Sequence, residues 1–199
     1  MILMTRYHAP IAALMRRIDG FLHETRAAAA VEFALILPVM LTLYLGSVEL
    51  SSAISVDKRV STVSGTLGDL VARSDREITA SDVSDYFYAA STTMAPYASS
   101  GVQQIVTSVL VNTNGSTQVR WSRADNGAST HPNGSSYTLP VDLKDLVTEG
   151  GTEPGYVIVA EAQMNYLPLV GYFFDTAFPL YHEYFFLPRF DSEITCDDC

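Results

Sequence analysis

The sequence predicts an α+β protein: an N-terminal transmembrane helix that extends into an amphipathic helix packed on a mostly antiparallel sheet. Three observations predict it. Residues 27–48 read AAAAVEFALILPVMLTLYLGSV, an apolar run in which Glu32 is the one ionisable side chain. The residues after that run keep an apolar stripe at helical spacing. The second half of the chain alternates in the strand period between turn signals.

The apolar run comes first in the argument because its length has a physical meaning. About 22 helical residues span roughly 33 Å, which matches a hydrocarbon core of about 30 Å. Arg6, Arg16, Arg17 and Arg26 all precede it, opposed only by Asp19 and Glu24. Basic residues stay on the cytoplasmic side, so the N-terminus is expected in the cytoplasm and Ser51 onward outside. Three segments follow: a basic cytoplasmic leader over 1–27, a transmembrane helix over 28–48, and an extracytoplasmic domain over 49–199. The chain carries a net charge of −10, and from Ala28 onward 8 bases face 20 acids. Such a surface repels phosphate backbones, which excludes nucleic acid as a partner.

Three readings of the run compete. One is an uncleaved signal anchor. Another is an ordinary secretory signal cut after Ser51-Ser52-Ala53, but the run is long for that and contains Glu32 and Pro38. The third is a cut between Ala27 and Ala28, which gives Glu32 a role. A carboxylate inside a membrane costs a few kcal/mol near the centre and demands a partner. After that cut, a new ammonium sits at position one and Glu32 at position five, one helical turn apart, where the macrodipole also favours an anion.

The stretch Arg26-Ala-Ala-Ala-Ala-Val-Glu-Phe-Ala-Leu-Ile-Leu-Pro38 resembles the start of the TadE-like minor pilins of the tight-adherence (Flp-type) pilus. In that family a prepilin peptidase removes a short basic leader after a small residue, and the fifth mature residue is Glu followed by an aromatic. The resemblance implies processing at Ala27/Ala28, with Glu32 and Phe33 as the glutamate–aromatic pair and Pro38 as the helix proline. Ala27 stands where the family usually has Gly. It further implies a structural subunit rather than an enzyme, with prepilin peptidase, other pilins, pilus assembly proteins and membrane lipid as partners. The implied location is the inner membrane, single-pass, with the C-terminal domain periplasmic and a possible destination in the pilus at the cell surface. The alternative is an unprocessed, signal-anchored periplasmic binding or adhesion accessory protein. Pro38 lacks an amide hydrogen, so the Ala34 carbonyl loses its helical partner and a kink is expected.

Beyond Glu49 the helix is expected to continue. Val56, Val60, Val63, Leu67 and Leu70 make its apolar stripe, covering either the domain's own sheet or neighbouring subunits. Gly65 and Gly68 either permit close approach or merely weaken the helix. A second helix is predicted over 81–95, burying Val83, Phe87, Ala90 and Met94 and ending at Pro96. Strands are predicted over 103–111 and 117–123 around an Asn114-Gly115 turn, then over 156–165, with Val157, Val159 and Glu161 on one face, and over 181–190. A polar loop occupies 125–136. Eleven of the 21 aromatic residues follow Gly155, so either both sheet faces are covered there or one patch meets lipid or another subunit.

Chemistry-bearing patterns are not found. His8, His23, His131 and His182 have no partner at metal spacing, and neither a phosphate loop nor a nucleophile elbow occurs. No cofactor and no metal are expected. Asn114-Gly-Ser and Asn133-Gly-Ser read as turns. Cys196 and Cys199 form a Cys-x-x-Cys pair that on the exterior favours a local disulfide over intermolecular pairing or metal.

Overall fold

The computed structural model describes Met15, Gly20, residues 25–168, 176–190 and 193–199. Among the described residues seven elements follow in order: α1 (Thr25–Ala72), α2 (Ala80–Thr92), β1 (Val102–Val111), β2 (Thr117–Asp125), α3 (Val141–Val147), β3 (Gly155–Tyr166) and β4 (Phe178–Phe186). The chain divides into two units, one ending at Val48 and the other running from Glu49 to Cys199. Helix α1 contributes to both.

In the second unit, an open four-stranded antiparallel sheet of order β2-β1-β3-β4 carries α1 and α2 on one face. The long helix therefore packs on its own domain's sheet. Val56, Val60, Val63 and Leu67 are buried as the stripe requires, but the stripe continues to Val71, while Leu70 is only half-buried. A step of four rather than three keeps the contact on the sheet side as the helix ends. Every second strand residue meets this layer: Val102 and Val106, Trp121, then Ile158, Ala160 and Ala162, and Leu180.

Gly68 is the point of closest approach. A side-chain carbon there would fall into the ring of Phe186 and 3.1 Å from Ala160 Cβ, whereas Gly65 has nothing within 4 Å. The two glycines, indistinguishable in sequence, thus have different reasons to exist. Beside Gly68, the Ser64 hydroxyl donates to the Ala160 carbonyl at 2.6 Å. Arg189 donates its amide to the Ala72 carbonyl, and its guanidinium pairs with Asp69 at 2.9 Å. That tie, with Pro188 unable to serve a ladder, ends β4 at Phe186 instead of Phe190. The strand starts earlier than predicted, at Phe178.

Helix α2 begins with a capping box. The Asp82 amide donates to Thr79 Oγ1, and the Thr79 amide donates to Asp82 Oδ2 at 2.9 Å. Its buried residues are Val83, Phe87 and Ala90, with Met94 buried just beyond. The helix gives way to turns at Thr93, short of Pro96, because the residue before a proline avoids the helical region. The Asn114-Gly115 turn forms with Gly115 at φ +77°, and a bulge at Arg120 keeps Trp121 facing the helices.

The opposite sheet face is covered too. Val109, Val111, Val157 and Val159 form a second apolar cluster with Leu139, capped by Tyr137, Leu143, Val147 and Phe185. The lid includes α3, a seven-residue helix that periodicity did not reveal. Aromatics of β4 serve both faces, with Phe178 and Phe186 under the helices and Phe185 on the other side. Tyr172, Phe173 and Phe174 lie outside the described residues.

The C-terminal tail straps the domain. Ile194 is buried, and its carbonyl accepts the Trp121 indole N–H at 2.7 Å. Thr195 bridges Glu77 in parallel, and Asp198 Oδ1 accepts the Ala80 amide at 2.8 Å. Cys196 and Cys199 are bonded to each other, with Cα atoms 5.3 Å apart.

Candidate functional site

The first candidate site is the start of α1. The predicted cleavage bond Ala27–Ala28 lies inside the helix, which begins at Thr25. From Ala28 to Leu41 every residue is exposed, so Glu32, its neighbour Phe33 (64 %) and Pro38 all lie on an apolar surface that no described residue covers. No described residue pairs with Glu32. A helix that is apolar all round needs lipid or other helices around it, and among the described residues this is the one helix long and apolar enough to cross a membrane. The helix continues through Pro38, whose carbonyl accepts the Thr42 hydroxyl at 2.8 Å.

The second is a polar constellation on the sheet face away from the helices. Glu161 is 7 % exposed and is opposite Glu183 across β3 and β4. Two like charges at that register repel, and both need donors. His131 Nε2 lies 2.7 Å from Glu161 Oε1, and the Tyr181 hydroxyl donates to Oε2 at 2.9 Å. The Tyr137 hydroxyl donates to Glu183 at 2.6 Å and, more weakly, to Glu161 at 3.1 Å. His131 also meets the Tyr137 ring edge-on at 4.9 Å. Burial first, then the hydrogen bond to Glu183 and the nearby carboxylates, push the Tyr137 phenol well above its ordinary range. Burial and the bond to Glu161 do the same to Tyr181. The arrangement holds the protons of the two phenols tightly beside Glu161 and Glu183, and its hydrogen bonds brace the 131–137 segment to the sheet.

Periodicity placed Glu161 on the same face as Val157 and Val159 but could not show that His131 and Tyr137 fold back onto it. His182 likewise pairs with Asp57 at 2.8 Å, joining β4 to α1. His8 and His23 lie outside the described residues. Cys196, Asp198 and Cys199 are the one described group with three possible metal-donor side chains, but the two sulfurs are spent on each other.

The family model described as TadE-like protein matches residues 27–64. No curated protein and no solved structure matches the chain. The TadE-like pilin family is structural and non-enzymatic, and it implies contacts with other pilus components. The match covers the exposed apolar run with Glu32 and the first part of the helix face that packs on the sheet. Segment 27–64, 38 of the 199 residues, is thus similar to TadE-like proteins, and an apolar N-terminal helix is consistent with that likeness.

Proposed function

We propose that this chain is a structural minor pilin or assembly protein of a tight-adherence pilus, held in the inner membrane by residues 28–48 with the 49–199 domain on the periplasmic side. One observation carries the reading. The first part of the segment matching the family, residues 28–48, is a helix with an apolar surface whose single carboxylate, Glu32, lies near its start. A prepilin peptidase cuts between Ala27 and Ala28. The freed ammonium then meets the Glu32 carboxylate, on its own helix or on a neighbouring subunit. Opposite charges about 4 Å apart at an effective dielectric near 20 attract by about 4 kcal/mol before desolvation is subtracted. A net gain of about 1–2 kcal/mol shifts docking roughly five- to thirtyfold.

Glu32→Ala therefore leaves membrane insertion intact or improved and reduces piliation by about that factor. Counting pili in the mutant strain, beside the amount of membrane-inserted chain, tests this; normal piliation contradicts it. A second reading, the unprocessed periplasmic accessory protein, is favoured by Ala27 in place of the family's usual glycine and by the helical setting of the Ala27–Ala28 bond. In that case Glu32→Ala changes nothing outside the membrane.

A further inference from the structure

A cavity of about 390 Å³ opens in the second unit, between the first residues of its helix and the ends of β3 and β4. Its walls are Glu49, Leu50 and Ala53 of α1, Tyr166 and Pro168 at the end of β3, and Thr176 and Phe178 at the start of β4, the Glu49 side chain being itself buried. The surface is almost entirely carbon. Water gains little in such a space, since an ordered water needs two to four polar partners. Around it, Leu50 (61 %) and Leu167 (63 %) are exposed, so the apolar surface continues outside the cavity.

The position of this surface along the chain says what can fill it. Leu50 is two residues beyond Val48, the end of the membrane-length run, which on a helix is about 3 Å of further rise. Interfacial apolar groups bury themselves about 5–10 Å into the headgroup and acyl boundary, and tyrosine is enriched at that level. Acyl chains are thus the apolar matter within reach of these residues whenever 28–48 is in a bilayer.

We propose that this cavity takes the acyl chain of a bilayer phospholipid, so that the strand ends of the ectodomain, and not only its helix, hold the membrane. The proposal rests on the anchor reading above. It adds a lipid contact made by residues far from the anchor in sequence, at 166–178. While the subunit is in the membrane, the contact seats the domain against the bilayer. Extraction into a fibre empties the cavity, so lipid release becomes part of assembly.

The test uses the full chain in vesicles of phosphatidylethanolamine and phosphatidylglycerol, with a diazirine-bearing phenylalanine analogue at position 178 or, separately, at position 41 inside the apolar run. Mass spectrometry identifies what each site captures on irradiation. Phospholipid adducts are expected at both. Ala53→Leu, which fills the cavity, is expected to cut the adduct at 178 several-fold and leave that at 41 unchanged. Leu50→Gln, at an exposed position that folding tolerates, is expected to act in the same direction. Capture at 178 of water, of the chain's own 169–175 segment or of a second copy, with lipid still captured at 41, overturns the pocket and leaves the anchor standing. Absence of lipid at 41 overturns the anchor reading and the pocket with it.

Discussion

Gly65 and Gly68 lie on the same helix, three residues apart, and alanine at each is expected to have opposite effects. Glycine inside a helix costs about 1 kcal/mol relative to alanine through backbone entropy. At Gly65 a new Cβ meets nothing within 4 Å. Gly65→Ala therefore stabilises by about 0.5–1 kcal/mol. At Gly68 the same carbon overlaps the Phe186 ring and sits 3.1 Å from Ala160 Cβ. Overpacking of this kind costs about 1–3 kcal/mol. Subtracting the helical gain leaves Gly68→Ala destabilising by about 1 kcal/mol, with the half-buried Phe186 ring absorbing part of the strain by turning. Adding Phe186→Leu removes the obstacle and should recover most of the loss, a coupling that distant sites do not show. The single tryptophan, Trp121, is buried in the same core and reports unfolding by fluorescence in urea. If Gly68→Ala stabilises the protein as much as Gly65→Ala, the helix–sheet distance is not set at Gly68 and the packing described here is wrong.

Removal of residues 1–52 should leave a soluble domain that unfolds cooperatively, because the buried core from Val56 to Ile194 lies wholly beyond the cut; aggregation relieved only by detergent counts against this. The same domain should weaken at high pH. Burial and acceptor carboxylates hold the Tyr137 proton in the folded state, so above about pH 10 the unfolded chain releases a proton that the folded one keeps. The share of stability that Tyr137 contributes is then fully present below pH 10 and falls by up to about 1.4 kcal/mol per pH unit above it. Tyr181, held up in the same way, adds a like share, so Tyr137→Phe should make the alkaline slope in urea titrations shallower without abolishing it while lowering stability at neutral pH, and an unchanged slope refutes the assignment.

The parts of the fold that were legible are those with a period. The stripe from Val56 to Leu67, the α2 face and the paired strands all declare themselves because burial repeats every 3.6 or 2 residues. The α3 helix was not legible, since seven residues are too few to establish a period and its role is to cover Val157 and Val159. The C-terminal strap is held by single bonds such as Trp121 to Ile194, 73 residues apart, which no local pattern encodes. The same holds for the Glu161 constellation, assembled from two strands and a loop. Glu32 draws the proposal above for the opposite reason. A charge in an apolar run violates local consistency, and such violations concentrate at functional positions.

If the exposed apolar helix is the working end of a processed pilin, the N-terminal sequence of the chain recovered from cells shows the cut. A mature protein beginning Ala28-Ala-Ala-Val-Glu32, with Glu32 fifth, is the predicted result. A protein that still carries the arginines at 6, 16, 17 and 26 contradicts it, and with it the pairing of Glu32 with a new N-terminus.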